Sequence, residues 1–178
     1  MGTSNYRGSY NDTSVVDDSR LINKYMELEE QLMSDYIRIL EELGITRNYK
    51  IHNDGSVDVD GDVDLSKMNL DEIPIKFGVV LGDFSVNRNN LTSLKNAPVI
   101  VQSSFNCMNN KLETLEHSPV YVGDDFACSR NETLQSLDEG PLLVRGDYGC
   151  GFNPQITEEQ TRSKKTIVIG QTIYYNKK

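Results

Sequence analysis

The sequence predicts an α/β solenoid built from short leucine-rich repeats of about 21 residues. Three observations predict it: a fixed period, an aromatic residue that recurs once per period, and an asparagine five positions after each aromatic residue. A fixed period of this length indicates a chain that stacks one coil on the next, because each coil then buries its apolar side chains against its neighbours. Such a fold offers an extended surface, which favours binding over catalysis.

The period is read from four valines that are separated by steps of 21, 21 and 22 residues. Each valine precedes an aromatic residue, a small apolar residue and an asparagine at fixed intervals. The four sets are Val80, Phe84, Val86 and Asn89; Val101, Phe105, Cys107 and Asn110; Val122, Phe126, Cys128 and Asn131; and Val144, Tyr148, Cys150 and Asn153. The aromatic and the small residue are two positions apart, so both point inwards from a short strand. The asparagine amide is expected to satisfy backbone groups at the following bend.

The N-terminal part of the chain predicts a tail and a helix. Residues 1–16 are polar and lack periodicity, which predicts a disordered tail. Residues 17–48 carry apolar side chains at three- and four-residue steps up to Leu43, and Gly44 ends the pattern. We therefore expect an amphipathic helix that caps the first coil.

A homodimer contact through the helix 17–44 stays an alternative use of its apolar stripe. Leu21, Tyr25, Leu28 and Leu32 nearly follow a heptad spacing. Asp35 then occupies the next apolar position, which counts against a continuous coiled-coil seam.

The solenoid is predicted over residues 49–156 and a β-type C-terminal cap over residues 157–178. An Asn53-Asp54-Gly55 turn joins the first two strands. The aspartates of residues 54–64 suggest a weak calcium site, but the calcium-loop frame would place Ser56 and Lys67 where acidic ligands are needed. A solvated strand face explains them better.

Composition narrows the classes of partner. The net charge is −9, from 27 acidic and 18 basic residues, which disfavours binding to nucleic acid. An apolar run that could span a membrane and the layout of a signal peptide are both lacking. The three cysteines occupy the same inward repeat position, so we expect reduced core residues in the cytosol, with neither a metal nor a cofactor.

The outward strand positions are predicted to line a concave binding face. An acidic column lies along one edge, and Lys67, Arg88 and Arg130 lie along the other, with Met108 as a central apolar contact. A solvated surface without a partner is the alternative explanation. The candidate partner-binding residues are Asp62, Asp64, Asp83, Ser85, Asn87, Arg88, Asn106, Met108, Asn109, Asp125, Arg130, Asp147 and Phe152.

Motifs of enzymes are not visible in the sequence. His52 and His117 are the only two histidines, and neither has the spacing of a metal site or of a nucleophile with its base. We therefore expect a protein without catalytic activity.

The stretch YKIHNDGSVDVDGDVDLSKMNLDEIPIKFG and the later turns GDFSVNRNNLTSL and SSFNCMNNKLETL carry a family resemblance. Over about residues 35–155 the chain resembles leucine-rich repeat proteins of large T-even-type tailed bacteriophages. Its short turns are also similar to the repeats of secreted bacterial ubiquitin-ligase effectors, whose catalytic domain has no counterpart here. The chain departs from the repeat pattern at Met68, near Glu132 and at Ser103–Ser104.

The resemblance implies a phage protein that acts in the host cell cytoplasm by binding and modulating a host protein, such as a defence factor. A structural or virion-associated role is one alternative. An acidic mimic of nucleic acid that blocks a DNA-binding enzyme is another, although Arg88 and Arg130 beside the acidic residues count against it.

Overall fold

The computed structural model describes residues 18–174 and divides the chain into two compact units, with the boundary between Arg38 and Ile39. The predicted tail 1–16 and the last four residues, which include Tyr175, lie outside the described residues. Each unit is described by itself.

Helix α1 (Ser19–Glu42) confirms the predicted amphipathic helix. Its end follows from backbone chemistry: Gly44 has a φ of 77°, and its N–H donates to Glu41 O at 2.9 Å. The N–H of Ile45 donates to Leu40 O at 2.8 Å, which completes a Schellman motif. Leu40 and Ile45 are buried in the second unit. The role of the helix as a cap stays a prediction.

The second unit is a β-solenoid in which each coil contributes one short strand to each of two parallel sheets. Its strands are β1 (Tyr49–Ile51), β2 (Val57–Val59), β3 (Val63–Asp64), β4 (Phe77–Val80), β5 (Phe84–Ser85), β6 (Ile100–Val101), β7 (Phe105–Asn106), β8 (Tyr121–Val122), β9 (Phe126–Ala127), β10 (Leu143–Val144), β11 (Tyr148–Gly149), β12 (Ile167–Val168) and β13 (Thr172–Ile173). A short helix, α2 (Glu158–Ser163), precedes β12. Within the described residues helices occur only at α1 and α2, so the repeated unit is made of strands and bends.

The two sheets have the order that a stack of coils requires. The first sheet has seven strands in the order β1-β2-β4-β6-β8-β10-β12, and the second has six in the order β3-β5-β7-β9-β11-β13. Apart from the antiparallel pair of β1 and β2, which the Asn53-Asp54-Gly55 turn joins as predicted, neighbouring strands are parallel. The period of about 21 residues is therefore confirmed as the step from one coil to the next.

The inward positions form continuous columns through the core. Phe84, Phe105 and Phe126 stack with ring centroids 5.5 and 5.6 Å apart and planes 7° apart, and the ring of Tyr148 lies 4.9 Å from that of Phe126. All four rings are completely buried. Aromatic stacking at this spacing adds to the free energy of burial. The inward aromatic residues predicted from the sequence are therefore confirmed.

The asparagines join each coil to the coil before it. The Oδ1 of Asn131 accepts the backbone N–H of Leu112 at 3.1 Å. Its Nδ2 donates to Cys107 O at 3.2 Å and to Cys128 O at 2.9 Å. The same three-bond pattern recurs at Asn89, Asn110 and Asn153. These bonds satisfy backbone groups that the bend removes from both sheets.

Two features differ from the sequence-based expectation. The sequence indicated one working sheet, whereas Val80 and its equivalents belong to strands of a separate, first sheet. The C-terminal β-type runs pair with β10 and β11 and so form a further coil of the same stack. Helix α2 was not predicted, although Thr157 and Gln160 form a capping box at its start.

Candidate functional site

The outer face of the second sheet holds the predicted binding residues. Parallel pairing places Asp64 beside Ser85, Ser85 beside Asn106, and Asn106 beside Ala127. Neighbouring positions in such a row are about 4.8 Å apart. We call the following set the second-sheet face: Asp64, Ser85, Asn87, Asn106, Met108 and Ala127. Met108 is half-buried, not exposed as expected, so less of its side chain is available for contact.

The acidic column lies at the bend between the two sheets and has a structural task that the sequence did not reveal. Its members, Asp62, Asp83, Asp125 and Asp147, each accept the backbone N–H of a residue in the next coil. Asp62 Oδ1 accepts from Asp83 N at 2.8 Å, and Asp83 Oδ1 accepts from Ser104 N at 2.9 Å. Asp125 Oδ1 accepts from Asp147 N at 2.7 Å, and Asp147 Oδ1 accepts from Gln171 N at 2.8 Å. One carboxylate oxygen of each residue is therefore committed to the fold.

The break expected at Ser103–Ser104 is confirmed. Ser103 donates its hydroxyl to Asp83 Oδ1 at 2.5 Å, and Ser104 directs its hydroxyl to Asp124 Oδ2 at 3.5 Å. In the middle coil, therefore, hydroxyl groups stand where the other coils carry an aspartate. The acidic column is divided into a pair on either side of this coil.

A third set of residues ends each strand of the second sheet in a left-handed backbone conformation. We call it the left-handed column: Lys67, Arg88, Asn109, Arg130 and Phe152, with φ values of 59°, 57°, 55°, 62° and 59°. An L-residue other than glycine or asparagine in this conformation costs about 1–2 kcal/mol. Only Asn109 is of a type that adopts it readily. The chain therefore keeps two arginines, a lysine and a phenylalanine at positions that oppose them.

Two members of the left-handed column contact each other. The guanidinium carbon of Arg130 lies 4.8 Å from the ring centroid of Phe152, a distance typical of a cation–π contact. Phe152 is 43% exposed. This pair is a planar, partly apolar patch at one end of the column, and aromatic residues and arginine are the side chains enriched at the centres of interfaces.

The aspartates of residues 54–64 are held separately. Asp54 pairs with Lys76 at 2.6 Å, and Asp64 accepts the N–H of Ser66 at 2.9 Å. Within residues 18–174, no group of three or more histidine, cysteine, aspartate or glutamate side chains could hold a metal ion. The separate partners of these carboxylates are consistent with a structural strand face.

A histidine–aspartate pair on the first hairpin was not expected from the sequence. His52 Nε2 lies 2.7 Å from Asp58 Oδ2, and Val79 N donates to Asp58 Oδ1 at 2.8 Å. Burial disfavours the charged carboxylate, but these two hydrogen bonds outweigh it and lower the pKa of Asp58. The pair joins β1 to β4 through β2. His117 lies in a turn with a φ of 67° and is exposed, as expected.

The cysteine column is buried, as predicted. Cys107, Cys128 and Cys150 have free thiols and no exposed surface. Burial raises the pKa of all three thiols, and it raises that of Cys150 from 9.0 to about 11. A buried thiol with a raised pKa is a poor nucleophile, because the thiolate is the reactive form.

We expect none of the three thiols to react with iodoacetamide at pH 8 while the chain is folded, and all three to react in denaturing urea. Mass spectrometry of the intact protein counts the added groups. Because the folded state holds the Cys150 proton more tightly, the free energy of unfolding is constant below pH 9 and falls as the pH rises towards 11. Rapid alkylation of the folded protein at pH 8 would contradict the buried column.

The outer face of the first sheet is apolar, which sequence reasoning missed. Val79, Ile100, Tyr121, Leu143 and Ile167 form one outward row, linked by strand register. The side chains just before three of them form a second row that is 46–61% exposed. This second row is Val99, Val120 and Leu142. We call the two rows together the first-sheet face.

Comparison with known proteins adds no functional assignment. The chain matches no protein-family model, no curated protein and no solved structure. Among the helices of residues 18–174, none combines the length and the apolar character needed to cross a membrane.

Proposed function

We propose that this chain is a non-catalytic protein–protein interaction module. It binds its partner through the acidic column, the second-sheet face and the left-handed column. We further propose that the solenoid is of the leucine-rich repeat type, with α1 as its N-terminal cap and the C-terminal coil as its other cap. The repeat pattern of the sequence supports that assignment.

The observation that carries the proposal is the chemistry of the left-handed column. Glycine or asparagine would relieve the backbone cost at these positions, as Asn109 does in the middle coil. Arg88, Arg130 and Phe152 bring a charge or an aromatic ring instead. Non-glycine residues held in this conformation cluster at functional sites, where the side chain has a use that offsets its cost.

The charges of this surface suggest the chemistry of the partner. The acidic column runs along one edge of the second-sheet face, and the basic members of the left-handed column run along the opposite edge. A complementary partner presents a basic strip and an acidic strip on either side of a polar centre. Exposed charges of this kind mainly steer association and fix orientation.

We propose a host protein as the partner, such as a defence factor in the cytoplasm of a phage-infected cell. The sequence resemblance to phage leucine-rich repeat proteins supports this source. A role in the virion remains the competing proposal, and mass spectrometry of purified particles separates the two, because only a virion protein stays with the particle.

The test replaces the side chains of the left-handed column without disturbing its backbone. In the double variant Arg88→Asn/Arg130→Asn, asparagine suits the left-handed conformation, so we expect the free energy of unfolding to be unchanged or to rise by about 1 kcal/mol. We expect partner binding to fall at least tenfold, which corresponds to about 1.4 kcal/mol. Urea unfolding gives the first quantity. Quantitative affinity capture from infected cells gives the second.

The matched control is Lys95→Asn/Arg145→Asn, which removes the same two positive charges from exposed positions outside the site. It should retain full binding. Equal losses in both variants would show that net charge acts and would overturn the assigned site. Charge reversal at Asp83 and Asp125 is a poorer test, because it also removes the acceptors for Ser104 N and Asp147 N.

A further inference from the structure

The described residues carry two apolar surfaces that the proposed binding site does not use. One is the first-sheet face, in which Val99, Val120 and Leu142 are 50%, 46% and 61% exposed. The other is the apolar stripe of α1, whose side chains are at least 36% exposed. Its members are Leu21, Ile22, Tyr25, Met26, Leu28, Leu32, Met33 and Ile37. Exposed apolar surface on this scale marks an interaction site.

The shape of the helix stripe indicates what covers it. Its side chains form two parallel rows, one through Leu21, Tyr25, Leu28 and Leu32 and the other through Ile22, Met26, Met33 and Ile37. Two-stranded coiled coils need only a narrow seam of every third and fourth residue. A stripe two rows wide suits a broad and flat apolar surface, which the outer side of a sheet provides.

The dimensions of the two surfaces match. The stripe runs from residue 21 to residue 37, about 24 Å at 1.5 Å per residue. The outward row of the first-sheet face crosses five strands from Val79 to Ile167, which is about 19 Å at 4.8 Å per strand. Both surfaces are also two side chains wide.

We propose that the chain forms a two-fold symmetric homodimer in which α1 of each copy lies across the first-sheet face of the other. One symmetric interface then covers both apolar surfaces twice. Each copy contributes eight apolar side chains from α1 and eight from the first sheet. With their polar rim these approach the 20–30 residues per side of a stable interface. A helix–helix dimer would leave the first-sheet face uncovered.

This inference does not rest on the proposed function. The second-sheet face lies on the other sheet of the solenoid, so a dimer formed in this way leaves both binding surfaces open. A partner with two equivalent sites would then gain from simultaneous binding.

The first experiment is cross-linking between two differently labelled chains. One carries Leu28→Cys and the other carries Val120→Cys, and the native thiols are too deeply buried to compete. We expect an oxidised heterodimer when the two chains are mixed. Each chain alone should give far less disulfide-linked product. Efficient self-cross-linking of the Leu28→Cys chain would show a helix–helix dimer and overturn the proposal.

The second experiment measures mass in solution by sedimentation or light scattering. The wild-type chain is expected to be a dimer. Leu28→Glu/Leu32→Glu on the helix and Val120→Glu/Leu142→Glu on the first sheet should each weaken the dimer at least a hundredfold. The control Ser85→Glu/Asn87→Glu on the second-sheet face should leave it intact. A monomeric wild type, or a dimer that survives the first-sheet variant, would overturn the proposal.

Discussion

Replacing Asn131 by leucine is expected to lower the free energy of unfolding by about 3–5 kcal/mol. The side chain is completely buried and serves three backbone groups: Leu112 N, Cys107 O and Cys128 O. Each group would lose its partner in a place that water does not reach, at about 1–3 kcal/mol apiece. The total is a large share of the 5–15 kcal/mol that holds a typical domain together. Urea unfolding followed by circular dichroism measures the change.

Asn90→Leu is the matched control for that substitution. Asn90 neighbours the buried column, but its Nδ2 donates to the side chain of Asn69 in exposed surroundings. Water replaces such a bond at little cost, so we expect a change within about 0.5 kcal/mol. Similar losses in the two variants would mean that the buried asparagines do not join the coils as the contacts indicate.

Phe105→Ala is expected to cost about 3–5 kcal/mol and to disturb both neighbouring coils. The ring is fully buried between Phe84 and Phe126, with centroids 5.5 and 5.6 Å away. Removing it leaves a cavity in the middle of the stack, and the strands on either side are too firmly hydrogen-bonded to close it. Thermal and urea unfolding should both show the loss.

The exposed Phe152 gives the control for the aromatic stack. Phe152→Ala removes the same number of atoms from a ring that is 43% exposed, so the cost should stay below about 1 kcal/mol. A small effect at Phe105, comparable to that at Phe152, would contradict a core built from the stacked rings.

The period and the inward positions could be predicted because they are written locally and repeatedly. Phe105 and Cys107 are two positions apart, and the same pair recurs 21 residues later, so one strand geometry explains every copy. The asparagine after each pair could be assigned to the bend by its amide chemistry. These inferences needed no knowledge of how the coils are placed in space.

The second sheet and the dual role of the acidic column could not be predicted in this way. An aspartate after glycine indicates either a surface charge or an acceptor for a backbone N–H, and only the position of the next coil distinguishes the two. Asp125 proves to accept the N–H of Asp147, 22 residues away. The apolar outer face of the first sheet was hidden for a similar reason, since Val99 and Ile100 read as core residues until a strand direction is known.

The left-handed column lacked a sequence signal altogether. Glycine and asparagine announce a positive φ, whereas Arg88, Arg130 and Phe152 are ordinary surface or core residues in other settings. Here the path of the chain out of the strand decides the conformation, and the side chain has to accept it. Propensity-based reasoning fails at such positions, which is also why they point towards function.

The pairing of each coil with only the coils before and after it makes length an adjustable property of this molecule. Gain or loss of one whole period would change the reach of the polar surface while every remaining coil kept the neighbours it needs. The 22-residue step shows the tolerance in miniature, because Tyr121 still pairs with Leu143 across it. Relatives that recognise larger or smaller targets could thus arise by duplicating or deleting a unit, with no redesign of the interior.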